Sequence, residues 1–328
     1  MRTRLEAIRG VPTFAWAQAA PLALAVLRPG LPALALALAE GDLRVHALTR
    51  AFSRRQSANV VAQVEPQGAV ERTVCLVSHL DSSRSGLLFH PRLAPHLRRL
   101  LDASALALLV QAGARFLRRS PLGWLALVAA RCYAAFGLGL LLERELRGRD
   151  VPGANDNASG VGAAVAIAAG LAARPLKRTR VVFLATGCEE SGTIGARSFL
   201  ERHATREWLF LNLDGVAAPA TLRYLPREGV GRVYRADTGL LRACERVARE
   251  RPELGLRPAE RLVGLTYDAT PVLARGGRAI TLSAQDETIP NYHVPEDVPE
   301  RCDPDTLARA LGATRALLEA IDAGAADA

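Results

Sequence analysis

An α/β domain, with a mixed and largely parallel central sheet covered by helices on both faces, is predicted by three observations. Beyond Asp150 apolar strand-like runs alternate with helical patterns, the order that a crossover-built sheet requires. The runs Arg72 to Ser78 and Arg178 to Thr186 are continuously apolar in the way of strands buried on both faces. The histidines and carboxylates that carry chemical potential cluster at the ends of those strands or just beyond, where open α/β sheets place their sites.

Taken in order, residues 1–41 read as an apolar helical segment. Arg2, Arg4 and Arg9 precede the apolar stretch Phe14 to Leu27, which has the outline of a signal peptide or anchor. Arg28-Pro29-Gly30 then breaks the run, and a second run, Leu31 to Ala39, follows with no cleavage site between them, which favours two helices packed on the domain. Leu43 to Leu48 and Ala58 to Val64 form an expected hairpin, and the strand Arg72 to Ser78 ends at His79. Ser82 to Asp150 fits no simple α/β repeat. Its apolar runs Ala103 to Ala114 and Trp124 to Leu142, separated by Arg115 to Arg119, predict a helical hairpin inserted into the domain. The second run is about long enough to cross a bilayer, although Arg131 sits in its middle. A helical cap or oligomer contact and a membrane association through 103–142 are both open for this hairpin. The predicted organisation is thus a catalytic domain of residues 42–81 and 151–328 interrupted by the insertion 82–150. Its remaining elements are a helix from Ser159 to Ala173, the strand to Thr186, a helix from Thr193 to His203 and a strand from Glu207 to Leu213. A helix from Gly239 to Arg249, a strand from Arg278 to Ser283 and a helix from Asp305 to Ile321 complete it.

Composition removes other classes. The formal net charge is +9, yet Lys177 is the only lysine and no aromatics interleave the arginines, so nucleic acid is not an expected partner. Five scattered cysteines (Cys75, Cys132, Cys188, Cys244 and Cys302) with no C-x-x-C pair argue against a disulfide scaffold. A cytoplasmic or membrane-associated setting is compatible with this usage.

The chemistry gathers on five segments. His79 and Asp81 leave a buried strand together, and a histidine that binds metal through one ring nitrogen needs its other nitrogen held. Asp156 lies in Gly153-Ala-Asn-Asp-Asn-Ala-Ser-Gly160, where Ser159 can cap the following helix and leave both Asp156 oxygens free to bridge two cations. Glu189 and Glu190 follow a buried strand and would repel each other without a cation, although an exposed helix N-terminus would also tolerate both. Asp214 ends another strand, and His293 lies in the polar loop before the last helix.

In this order these segments resemble the co-catalytic dinuclear zinc aminopeptidases, a group that extends to glutamate carboxypeptidase II and the glutaminyl cyclases. The resemblance rests on Ser78-His-Leu-Asp81, the Gly153 to Gly160 loop, Cys188-Glu-Glu-Ser-Gly192 with Gly195, Asn212-Leu-Asp214, Tyr267-Asp268 before Gly276-Gly277, and Tyr292-His293 with Asp297. It covers residues 42–81 and 151–321 and leaves out the insertion. It implies a zinc-peptidase fold and two Zn2+ ions, one held by His79 and Asp214 and the other by Glu190 and His293, with Asp156 bridging. Manganese or cobalt would suit the same donors. It further implies Glu189 as general base, Asp81 as the orienting partner of His79, and a displaced Tyr267 in place of the family's oxyanion-stabilising tyrosine. The expected activity is that of a hydrolase, a metallo-exopeptidase that cleaves N-terminal peptide bonds of a peptide or aminoacyl substrate with a metal-activated water. A glutaminyl cyclase-like acyltransferase and a non-catalytic membrane-linked binding protein are the alternatives.

Overall fold

The structure, a computed structural model, describes residues 2–326. Its frame is an eight-stranded mixed sheet. In chain order the strands are β1 (Arg2–Gly10), β2 (Arg55–Val64), β3 (Arg72–His79), β4 (Thr179–Thr186), β5 (Leu209–Leu213), β6 (Leu222–Tyr224), β7 (Arg227–Glu228), β8 (Tyr234–Arg235), β9 (Arg257–Pro258) and β10 (Arg278–Ala284). Their order in the sheet is β1-β2-β4-β3-β5-β10-β6-β9, while β7 and β8 pair separately. The central strands β4, β3, β5 and β10 run parallel. β1, β2 and β6 join antiparallel.

The helices are α1 (Ala15–Leu27), α2 (Leu31–Gly41), α3 (Ala47–Phe52), α4 (Leu97–Ala112), α5 (Ala114–Leu117), α6 (Pro121–Arg147), α7 (Gly160–Ala173), α8 (Ile194–Arg202), α9 (Thr238–Glu250), α10 (Thr270–Ala274) and α11 (Pro304–Asp322). Alternate residues of the central strands face opposite sides, which gives the domain two cores. On one side Val74, Leu76, Leu211 and Ile280 pack with Ile167, Leu240 and Leu317 of α7, α9 and α11. On the other, Cys75, Val77, Val182 and Phe210 pack with Phe199 of α8 and Val272 of α10. All five cysteines are free; Cys188 is half-buried in the turn after β4.

Two expectations near the N-terminus change. Residues 2–10 form an edge strand paired with β2 from Arg2↔Gln63 to Gly10↔Arg55, ahead of the two apolar helices. The hairpin expected from Leu43 to Val64 does not form. Leu43, His46 and Thr49 recur at helical spacing and are buried together at α3, so β2 takes β1 and β4 as its neighbours.

The insertion folds as a helical layer. α1, α2, α4 and α6 share a core of Ala19, Leu22, Ala33, Leu108, Ala134 and Leu141. α6 begins as its sequence dictates: Ser120 accepts the N–H of Gly123 and Pro121 occupies the first turn. A Cβ on Gly123 would stand 2.1 Å from the carbonyl oxygen of Leu117, so only glycine allows the tight α5–α6 turn. Arg131, the charge in the middle of the apolar run, reaches across to the carbonyls of Val26 and Leu27, which end α1.

Candidate metal centre

Parallel β3, β4, β5 and β10 end on one edge of the sheet, and the loops leaving them converge there. His79 is the last residue of β3 and is buried. Its Nδ1 lies 2.8 Å from the main-chain carbonyl of Asp81. A carbonyl only accepts, so Nδ1 carries a proton, and Nε2 is the ring nitrogen turned inward to the carboxylates. Nε2 stands 3.0 Å from Oδ1 of Asp156 and 3.6 Å from Oδ2 of Asp214. The orienting contact to His79 therefore comes from the backbone of Asp81. Its carboxylate instead accepts the N–H groups of Glu189 and Glu190 at 3.0 and 3.1 Å, which fixes the turn that presents both glutamates.

Asp156 is held by its loop. Asp297 accepts the N–H groups of Asn155 and Asp156 at 2.8 and 3.0 Å. The cap of α7 comes from Asn157, whose Oδ1 accepts the N–H of Gly160 at 3.0 Å. Ser159, the expected cap, donates back to the carbonyl of Asn155 at 2.6 Å and accepts the N–H of Val216. The Asp156–Asn157 peptide is cis. Both Asp156 oxygens face the centre: Oδ2 is 3.2 Å from Nε2 of His293, as Oδ1 faces His79. His293 also approaches Oε1 of Glu190 at 3.1 Å, yet that buried oxygen has no hydrogen-bond partner.

The ligand atoms of His79, Asp156 and Asp214 lie within 4.8 Å of one another, as do those of Asp156, Glu190 and His293. Two triads thus share Asp156. Two buried carboxylates and the half-buried Glu190, set against two imidazoles, carry an excess of negative charge that contacts within the set do not neutralise. The donor set fits a pair of divalent cations, and nitrogen and carboxylate oxygen are ligands that zinc accepts.

The electrostatics agree. Burial alone would raise Asp156, but the imidazoles at its two oxygens hold it below the ordinary carboxylate range. Against burial, Glu190 and Asp156 push His293 up to about 9, and Asp156 and Asp214 raise His79 as well. Asp214 is lifted by burial. Glu189 belongs to neither triad. Burial raises it well above the usual range, with Asp268, Glu190 and Asp214 adding to the effect and His79 opposing it.

Two contributors, Ser83 and Arg144, escape a reading of the sequence, and a third, Asp268, stands in it without a role. Ser83 Oγ lies 3.2 Å from Nδ1 of His293 and accepts Nη2 of Arg144 at 3.1 Å. If Nε2 of His293 ligated a metal, the ring proton would sit on Nδ1 and Ser83 would accept it. Arg144 is fully buried at the end of α6, bonded to Thr13 and Glu145 and laid over the ring of Phe14 at 4.5 Å. Asp268 is also fully buried. One of its oxygens accepts Thr186 Oγ1, the other has no partner, and burial lifts it to about 6. The signals for Ser83 and Arg144 were a serine four positions past His79 and an arginine at the end of an apolar run, while Asp268 was visible in the Tyr267-Asp268 pair. Tyr267 does not face the reacting region freely: it is buried, and its hydroxyl lies 3.3 Å from Oε1 of Gln285. Tyr292 stacks on His293 with ring centroids 3.7 Å apart.

Fold and donor set together define a metallopeptidase architecture with a candidate two-metal centre. The model of peptidase family M28 matches residues 141–318, more than half of the chain, and the chain belongs to that family. Among solved structures it is similar to a zinc aminopeptidase from Bacillus subtilis, at 18% identity and a TM-score of 0.52 over 81% of this chain and 50% of that one. It thus spans about half the length of that protein. It is also similar to a leucine aminopeptidase precursor from Bacteroides thetaiotaomicron, at 14% identity and a TM-score of 0.51 over 95% and 99% of the two chains. A glutaminyl cyclase from the same organism, bound to N-acetylhistamine, matches at 14% identity and a TM-score of 0.51 over 94% and 99%. No curated protein matches the chain.

Proposed function

We propose that the protein is a zinc-dependent aminopeptidase that hydrolyses N-terminal peptide bonds. The observation that carries this reading is the pair of donor triads joined by both oxygens of Asp156, with Glu189 left over beside them. In this reading His79, Asp156 and Asp214 hold one Zn2+, and Asp156, Glu190 and His293 hold the other. Bound there, the ions supply the acidity that makes water nucleophilic near neutral pH and the positive charge that polarises a carbonyl.

The chain's own residues do the rest. Glu189, buried and outside both triads, takes the proton of the attacking water and returns it to the leaving amine. Its raised affinity for a proton suits both halves of that cycle, since a carboxylate of ordinary acidity holds a proton too weakly to deliver it. Asp81 keeps Glu189 in place through the main chain, and Asp297 does the same for Asp156. The catalytic unit in this reading is residues 42–81 with 151–328, completed by the edge strand β1, and α4 to α6 lie beside it.

Glu189→Gln is the direct test. It should keep about two zinc ions per chain and lower kcat for leucyl anilide by roughly 10²-fold to 10⁴-fold. Unchanged turnover refutes the assignment of the base. Ammonia release from an N-terminal glutaminyl peptide, with no hydrolysis of aminoacyl substrates, would establish the cyclase chemistry instead. Full zinc loading with turnover of neither substrate would leave a binding protein on a peptidase fold.

A further inference from the structure

We propose that the free end of the helical layer, built from the C-terminal half of α4, α5, the N-terminal half of α6 and the α1–α2 turn, is a docking surface for an anionic lipid membrane. α6 is anchored at its C-terminal end, where Arg144 bonds Ser83, and Leu97 at the start of α4 packs with Leu225 and Leu265. The Pro121 end lies 23 residues before Arg144. At 1.5 Å per residue it is roughly 35 Å along the helix from the candidate metal centre. It is an extremity of the molecule.

That extremity is apolar on the outside. One stripe of α6, Leu127, Ala130, Ala134 and Leu141, is buried against α1 and α4 at helical spacing. The opposite side exposes Leu122 by 80% and Trp124 and Leu125 by 57% each, beside Phe116 at 58%, Leu109 at 56% and Leu27 at 78%. A soluble surface rarely gathers so many large apolar side chains in one place. By length and composition Pro121–Arg147 could cross a membrane, and only 22% of its apolar window is buried, against 44% for Ala154–Ala173, which lies on the sheet.

Charge selects the occupant. Arg28, Arg115, Arg118, Arg119 and Arg131 are exposed around the patch, and neither residues 7–39 nor residues 103–142 contain an acidic side chain. The acidic groups that bound these stretches are Glu6, Glu40, Asp102 and Glu143, followed by Glu145. Apolar side chains and a tryptophan within a ring of arginines match the acyl boundary and anionic headgroups of a bilayer surface. A second copy is a poorer match. A symmetric contact would set the same arginine ring against itself.

Flotation of the full chain with vesicles tests this. The chain should float with phosphatidylcholine vesicles containing phosphatidylglycerol at least about tenfold better than with phosphatidylcholine alone, and less well as salt rises. Leu122→Ser with Trp124→Ser, and separately Arg115→Glu with Arg118→Glu and Arg119→Glu, should each reduce that partition by about tenfold or more. Both variants should keep the far-ultraviolet dichroism and zinc content of the parent, because the substituted side chains point to solvent. No flotation of the parent overturns the proposal, as does parental flotation by the apolar variant. Concentration-dependent dimerisation that the apolar variant abolishes, without vesicle binding, would assign the face to a second copy and also overturn it.

Discussion

His293 illustrates how a candidate ligand is held by residues far away in the chain. Phe89 meets its ring edge-on at 4.4 Å, Tyr292 stacks on it, and Ser83 lies within hydrogen-bond distance of Nδ1 with Arg144 behind. Partners of this kind set the tautomer and aim of a ligating imidazole, and losing one typically costs 10-fold to 100-fold in metal affinity. Ser83→Ala should therefore weaken binding of one zinc equivalent by about tenfold or more while the other equivalent keeps its affinity. Competition titration against a chelating dye reads both. Equal weakening of the two equivalents would mean that Ser83 supports the fold rather than His293.

His46 offers a second test at the same scale. It is buried with neither ring nitrogen hydrogen-bonded, Glu40 lying 3.8 Å from Nδ1, and burial, helped by Arg197 and Arg275, depresses its pKa to about 3. In the unfolded chain it titrates near 6.5. Between these values the unfolded state binds the extra proton, so the contribution of neutral His46 is complete above about pH 6.5 and is lost as pH falls toward 3. The slope reaches at most roughly 1.4 kcal/mol per pH unit. His46→Asn keeps a side chain that tolerates the left-handed backbone at this position, where φ is 44°, and removes the titration. The stability of the parent relative to this variant, from urea unfolding, should fall steadily between pH 6.5 and 4. A constant difference would show that His46 stays neutral in both states.

At the scale of elements, the turn from β4 into α8 is the part on which the candidate base depends. Asn59, fully buried in β2, ties it together: its Oδ1 accepts the N–H of Gly187 and its Nδ2 donates to the carbonyl of Gly195. The helix meets the strand closely there. A Cβ on Gly195 would lie 2.5 Å from the carbonyl oxygen of Gly187. Asn59→Ala leaves two buried main-chain groups unsatisfied and should cost about 2 to 6 kcal/mol, at about 1 to 3 kcal/mol for each group. Because Glu189 and Glu190 ride on this turn, the variant should also lower kcat more than its loss of folded protein explains. Turnover per folded molecule equal to the parent's would show that Asp81 alone suffices to place the glutamates.

For the whole molecule, the charge concentrated at the sheet edge links stability to metal. Three carboxylates with two imidazoles are costly to bury together, and ions that bind only the folded state stabilise it by mass action, on the order of 3 kcal/mol for each site at a hundredfold excess over its Kd. Removing metal with a chelator should lower the thermal midpoint by several degrees, and zinc should restore it. An identical midpoint with and without zinc would argue that the triads hold no ion.

Periodicity and strand-end position were enough, in the sequence, to locate β3, β4, β5, β10 and the helices between them, because buried parallel strands need unbroken apolar runs. The same logic placed His79, Glu189, Glu190, Asp214 and His293 beyond strand ends, whereas Asp156 was singled out by its glycine- and asparagine-rich loop and by the resemblance. Three-dimensional packing alone decided the rest. It put residues 2–10 into the sheet, made the carbonyl rather than the carboxylate of Asp81 the partner of His79, gave the α7 cap to Asn157, and brought Ser83 and Arg144 to His293. Hydrogen bonds between distant residues leave no trace in local spacing. An arginine closing an apolar run reads alike whether it meets water, a headgroup or a buried serine, and only the tertiary structure distinguishes Arg144, enclosed beside the metal centre, from Arg119, exposed at the far end of the same layer.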